Sequence, residues 1–450
     1  MSFLSAALRC TALAAAALTA PLLAQTPANP LSVQIALSKP SAMLGEPLWV
    51  DFTITNTSGQ ALAVSWGSSC CGATELTVKV PEAKQGNGEP KNCGSMACDC
   101  SSSGPTTLAP GASDSHRYVL SGNFRLTRPG VYTVHISKDF PYAAASGKFD
   151  VLLPKDRQTQ TASQELTLTL TPEDPAKLLQ LEQSLAAEAV KPYQRLAMNI
   201  TNNGDHDAYM AAVRAWSDAD RAASRHFNEE RYAIYQGLAA YPAAGMEPIF
   251  SDWQTPPHNV GYGISALARL NTPEARAALA HLAEPVPDRL VNGVKQSNSR
   301  WNALRALAGT GDRSYLPLVE GYASDEDPQV RRSAIFGMGE LGGEDALSLL
   351  DKIARQTTSQ VERTDAIMTM GRTKSAKAVP LLIALFDVAS PGDPTAPTYA
   401  LSTLTHHAPP NSMPRPTAGQ MQADWRAWWA LHGATAKIYG EFDCADKFDQ

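Results

Sequence analysis

The feature that most constrains this chain is an internal repeat. Three segments align: "SRWNALRALAGTGDRSYLPLVEGYA" from Ser299, "VRRSAIFGMGELGGEDALSLLDKIA" from Val330 and "ERTDAIMTMGRTKSAKAVPLLIALF" from Glu362. Ala303, Ala334 and Ala366 correspond and stand 31 and 32 residues apart. Leu304, Ile335 and Ile367 follow, then Leu307, Met338 and Met370, and the second halves keep Leu316, Leu347 and Val379 in step. Arg300, Arg331 and Arg363 also share one register. Apolar residues three and four apart lie on one face of a helix. Each unit therefore reads as helix, short Gly-containing turn, helix. One such hairpin cannot hide its apolar face, but a stack of them can. The nine residues from Ala303 to Met370 named first are the predicted core of an α-solenoid, and an excised single copy is expected to be unfolded, because its buried area is shared with neighbours.

The central copy carries the clearest boundary signals. Asp327 is placed to cap the first helix, Pro328 fits its first turn, and Gly342–Gly343 ends it. Small residues at Ala334, Gly337 and Gly339 mark a close helix approach. A further copy is read upstream in "GISALARLNTPEARAALAHLA", another in "TYALSTLTHHAP", and "RYAIYQGLAAYPAAGMEPIFSDW" echoes the same pattern.

The front of the chain has a different period. "PLWVDFTITNTS", "GVYTVHIS", "GKFDVLL" and "QELTLTLT" alternate apolar with polar residues, and "TSGQ", "APGAS" and "RPG" punctuate them. Val50, Phe52 and Ile54 point to one side of a strand, as do Leu166, Leu168 and Leu170. Seven or eight short strands with such turns predict an antiparallel sandwich. "LGEPLWVDFTITNTSG" and "LAPGASDSHRYVLSG…RPGVYTV", with Tyr132 near the start of a late strand, resemble an immunoglobulin-like domain of bacterial exported proteins.

The repeats in turn resemble short bacterial HEAT repeats, written D-x-x-V-R-x-x-A-x-x-A-L-G-x-[LI]-G, which Asp327, Val330, Arg331, Ala334, Gly339, Leu341 and Gly342 match. The other copies lack the Asp, so a ladder of Asp–Arg pairs is not expected beyond the central copy. Some proteins with such repeats are chromophore lyases and most are binding scaffolds. No residue here carries the lyase activity. The expected fold is an N-terminal immunoglobulin-like antiparallel β-sandwich (31–172, with a Cys-rich insertion at 67–105), a helical region at 173–255, HEAT-like repeats at 256–432 and a tail at 433–450.

The first residues, "MSFLSAALRCTALAAAALTAPLLAQ", read as a cleavable export signal over 1–24: one Arg, a short apolar run, then a small residue before Gln25. No later segment is long and apolar enough to span a membrane. Secretion or a periplasmic location is the expectation. A formal charge of -6 provides no basic field, which argues against nucleic acid as a partner.

The seven cysteines reduce to six once Cys10 is removed with the signal: Cys70, Cys71, Cys93, Cys98, Cys100 and Cys444. An even number in an oxidising compartment favours structural disulfides, with Cys444 tying the tail to the front module. The alternative is a thiolate cluster holding Zn or Cu. Asn56 and Asn199 each head a glycosylation triplet. His406–His407 has no partners at ligand spacing and is read as structural. Trp425, Trp428 and Trp429 share one side of a helix and form the expected terminal cap, the alternative being an aromatic cradle for a ligand.

No nucleophile elbow, phosphate loop or metal-protease motif is present. The reading is a non-enzymatic, cofactor-free exported scaffold that binds a protein or peptide. The alternatives are metal handling through the cysteines and an enzyme whose site is assembled from distant repeats.

Overall fold

The computed structural model describes residues 29–66, 76–79, 84–85, 105–120, 124–145, 157–189, 230–253, 260–285, 290–291, 294–295, 300–389, 394–407 and 416–439. The signal at 1–24, all six cysteines, the "GKFDVLL" strand and Asn199 lie outside the described residues.

The front of the chain is β-rich. Its strands are β1 (Leu31–Leu37), β2 (Ser41–Met43), β3 (Trp49–Asn56), β4 (Leu62–Val64), β5 (Leu76–Lys79) and β6 (Lys84–Gln85). They continue with β7 (Thr106–Leu108), β8 (Ser113–Val119), β9 (Phe124–Arg125), β10 (Gly130–Ala144) and β11 (Gln158–Thr171). One sheet has the order β1-β3-β8 and a second the order β2-β11-β10-β4-β7, with β5 also on β10. Both sheets feed a single core, in which Val50, Phe52 and Ile54 of β3 meet Val134, Ile136 and Phe140 of β10. The alternation in the sequence explains this: the interleaved Asp51, Thr53 and Thr55 face outward, and Asp51 accepts a bidentate pair from Arg117. The β10–β11 pair is far longer than its sequence pattern suggests, running antiparallel from Gly130↔Leu170 to Tyr142↔Gln158. Asn56 is fully buried, and its side-chain amide donates to the carbonyls of Gln60 and Leu108. The acceptor amide of its glycosylation triplet is therefore enclosed in the folded chain.

Beyond β11 the chain turns helical. α1 spans Pro175–Ala189, α2 covers 230–240 and α3 spans Glu247–Asp252. Then come α4 (Val260–Leu270) and α5 (Pro273–Ala283), α6 (Arg300–Gly309) and α7 (Leu316–Gly321), and α8 (Pro328–Leu341) and α9 (Gly343–Gln356). The stack closes with α10 (Gln360–Met370) and α11 (Ala378–Ala384), α12 (Thr395–Thr405) and α13 (Ala418–His432). Two-residue strands at Leu290–Val291 and Val294–Lys295 form a small antiparallel ribbon between α5 and α6. No helix of the described residues is long and apolar enough to cross a membrane.

Four of the helices begin where the sequence supplies a side-chain cap. Asp327 accepts from the backbone of Gln329, Ser359 from Glu362, Thr272 from Ala275, and Thr417 forms a capping box with Gln420. Gly342 and Gly343 take φ of 66° and 87° to end α8 and start α9 at once. One continuous core runs from Leu178 through every hairpin to Trp425. Ala303, Leu304, Leu307, Ala334, Ile335, Met338, Ala366, Ile367 and Met370 all lie in it. The first helices touch only because their contact residues are small. A Cβ at Gly337 would lie 2.9 Å from that of Ala308, and one at Gly339 would lie 2.4 Å from Thr369 Cγ2.

The β-rich module sits against the start of this stack. Trp49 is buried, donates its indole N–H to the carbonyl of Ala233 at 2.8 Å, and lies against Gly237, where any Cβ would collide with the ring. Gly45, at φ 85°, makes room for Leu178 of α1.

Candidate functional site

The solenoid's polar chemistry is organised across repeats. The arginines that share one sequence register each reach back to carbonyls at or just beyond the end of the preceding helix. Arg300 donates to Ala283, Arg331 to Asp325 and Glu326, and Arg363 to Ala354 and Thr357. Such carbonyls have no partner within their own helix, and a guanidinium satisfies them while complementing the helix dipole. Asp325 completes the first of these sites by pairing with Arg300 at 2.5 Å. That pair is almost wholly buried, and Arg300 with the backbone of Asp327 holds the Asp325 carboxyl below its ordinary range despite desolvation.

The expectation of no ladder beyond the central copy is corrected here. Asp327 serves as a cap and bonds the Gln329 backbone. A ladder nevertheless exists, built from other positions. Arg276 pairs with Asp312, Arg305 with Glu340, Arg313 with Asp345, Arg331 with Glu362 and Arg332 with Asp365. Each pair joins one hairpin to the next, so the repeat motif, which compares equal positions, does not reveal it.

The outward side of the first helices α6, α8, α10 and α12 is the most interface-like surface described. Phe336 on α8 lies between two guanidiniums, Arg305 of α6 at 5.7 Å and Arg372 just after α10 at 5.2 Å. Next along the row, Gln360, Thr364 and Met368 of α10 face Thr395, Ala396 and Tyr399 of α12 across an open cavity of about 160 Å³. Tyr399 is an exposed aromatic on its rim. Arginine and aromatic side chains are the types enriched at protein interfaces. Phe336, Tyr399 and the arginines did not stand out in the sequence, because the repeat pattern records chiefly the positions turned inward.

The terminal tryptophans play unequal parts. Trp425 is 1% exposed, belongs to the solenoid core, and leaves its indole N–H without an acceptor. Trp428 and Trp429 are half-buried against the same core. His407 stacks on Trp428 at 4.5 Å and 6°, filling the space that a ligand between those two rings would need. Burial, with His432 nearby, lowers the pKa of His407. His406, at φ 52°, stacks on Tyr439, whose backbone N–H bonds Leu404. The two histidines thus fasten α13 and Tyr439 onto the end of α12. Among the described residues, no three His, Cys, Asp or Glu side chains are grouped to hold a metal.

A buried acid lies near the front of the stack. Glu182 of α1 is inaccessible to solvent. One carboxyl oxygen accepts from the Ala243 backbone at 2.8 Å, and the other has no partner. Desolvation drives its pKa up to about 8. It pins the turn between α2 and α3 to α1.

With this geometry in place, comparison with known proteins assigns the repeats. A family model of HEAT repeats matches residues 287–371, which hold α6 through α10. The phycobilisome maturation protein of Synechococcus elongatus is 37% identical over 99 residues, 21% of this chain and 47% of that protein. The chain thus spans about half the length of the curated relative it matches. The CpcE–CpcF complex of phycocyanin lyase from Nostoc sp. PCC7120 aligns with 55% of this chain and 94% of its own, at 14% identity and a TM-score of 0.28. Human deoxyhypusine hydroxylase aligns with 56% and 96%, at 13% identity and a TM-score of 0.23. Neither structure is close enough in shape to carry an argument about this chain. Residues 287–371 thus match HEAT repeats, within a helical stack that follows a β-rich N-terminal module.

Proposed function

We propose that this is an exported, non-enzymatic scaffold that binds another protein or a peptide along the outward side of its first helices. The observation that carries the reading is the row itself: Phe336 between Arg305 and Arg372, then the cavity between Met368 and Tyr399, all along stacked helices that share one core. Segment identity with a protein named for phycobilisome maturation supports a role directed at another molecule. The β-rich module is read as immunoglobulin-like. Tyr132 supports this: its hydroxyl donates to the Arg128 carbonyl, four residues upstream, as in the tyrosine corner of such sandwiches. Export rests on the N-terminal signal pattern.

The test is capture from an envelope extract of the source organism by the immobilised full chain. The expected result is a stoichiometric partner that is lost when Phe336 and Tyr399 are replaced by Ser. A partner retained equally by that variant would place binding elsewhere, and none above background would contradict the scaffold reading.

A further inference from the structure

Three ion pairs that join successive first helices are lopsided in exposure. The Arg305 side chain is 41% exposed and its partner Glu340 12%. Arg332 is 39% exposed over an Asp365 that is 8% exposed. Arg331, at 28%, overlies Glu362 at 16%. On the side where the second helix begins, the balance is reversed or level: Asp345 is more exposed than Arg313, and Glu344 matches Lys377. The outward row therefore presents cations while the anions lie beneath it, in a chain whose formal charge is -6.

Asp365 orients Arg332 without exhausting its donors. Arg332 gives Nε and Nη2 to Asp365 at 2.6 and 3.3 Å, and among the described residues Nη1 has no acceptor. Arg305 meets Glu340 only at 3.8 Å, outside hydrogen-bond distance. The Arg332 guanidinium, held in place on one edge and open on the other, is preorganised for a second carboxylate, and Arg305 stands beside Phe336 with its donors clear of Glu340. Phe336 supplies the apolar element between the cations.

We infer that the row formed by Arg305, Arg332 and Phe336 docks an acidic segment of a partner protein, with carboxylates on the two guanidiniums and an apolar side chain on Phe336. This rests on the scaffold reading above and specifies its partner's chemistry. Charge complementarity sets the choice: a basic or neutral segment would meet the exposed edges of the arginines and gain nothing from the acids under them.

The experiment pans a phage-displayed random 12-residue peptide library against the immobilised full-length protein. Enriched peptides are then measured on the Arg305→Gln/Arg332→Gln double variant, checked for folding by circular dichroism, and on a Lys352→Gln/Arg426→Gln control, which makes the same charge change at exposed positions on α9 and α13. The expected result is enrichment of peptides with Glu or Asp beside an apolar residue. Their affinity should fall about tenfold in the double variant, stay unchanged in the control, and weaken with salt. Enriched peptides without acidic bias, or bound equally by the double variant, would overturn this inference and leave the scaffold reading standing. Absence of any enriched peptide would count against both.

Discussion

Gly339 offers a sign test of how the repeats are packed. In an isolated helix interior, Gly→Ala gains about 1 kcal/mol. Here a Cβ would sit 2.4 Å from Thr369 Cγ2 and 3.0 Å from the Thr369 carbonyl oxygen, which belongs to the backbone of α10 and cannot rotate away. Overpacking of this kind costs about 1–3 kcal/mol, and the immobile oxygen argues for the upper end. The expected net effect of Gly339→Ala is a loss of about 2 kcal/mol, after subtracting the propensity gain of about 1 kcal/mol. Adding Thr369→Ser deletes the nearest atom and should recover part of that loss, the part due to the carbonyl oxygen remaining. Gly321 closes α7 with nothing within 4 Å of its added Cβ, so Gly321→Ala should gain up to about 1 kcal/mol. The assay is urea unfolding followed by far-ultraviolet circular dichroism. If Gly339→Ala stabilises the protein as Gly321→Ala does, the close approach of α8 and α10 is wrong.

Other outcomes follow from the buried polar groups. Arg300→Ala leaves Asp325 buried and unpaired, with an expected loss of about 3–5 kcal/mol in the same assay. The raised pKa of Glu182 means the folded state holds its proton more tightly than the unfolded chain. Stability is therefore greatest below about 4.5 and falls as pH rises to about 8. Glu182→Gln should flatten that slope in melts run from pH 4.5 to 8.5. For His407 the sign is opposite: its lowered pKa means stability is lost as pH falls below its ordinary 6.5. His407→Phe should remove that acid loss, read through tryptophan fluorescence. Trp425→Ala empties a buried site and is expected to cost about 3–5 kcal/mol.

The elements that were legible in the sequence are those whose signal is periodic. The recurrence of Ala303, Ala334 and Ala366 reflects one inward position per hairpin, and the alternation around Phe52 reflects a strand with one buried face. Caps at Asp327 and the Gly342–Gly343 turn are local chemistry, and they sit where local chemistry puts them. What was hidden depends on contacts between unlike positions. Arg332 reaches Asp365 because stacking places α10 beside α8, and no spacing rule within either helix requires it. Glu182 looks like any solvent-facing glutamate of α1 until the turn at Ala243 covers it. The shared register of Arg300, Arg331 and Arg363 was visible, but their role at the preceding helix ends needed the fold.

The central claim is that the hairpins share one core and hold one another in place. Hydrogen exchange on the full-length protein carrying Ala334→Asp measures this directly, since it puts a charge where the side chain is wholly enclosed. Protection should fall in α8 and α9 and also in the unmutated α6, α7 and α10, while β10 and β11 keep theirs. Loss of protection confined to α8 and α9 would show that each hairpin stands by itself, and would contradict the account.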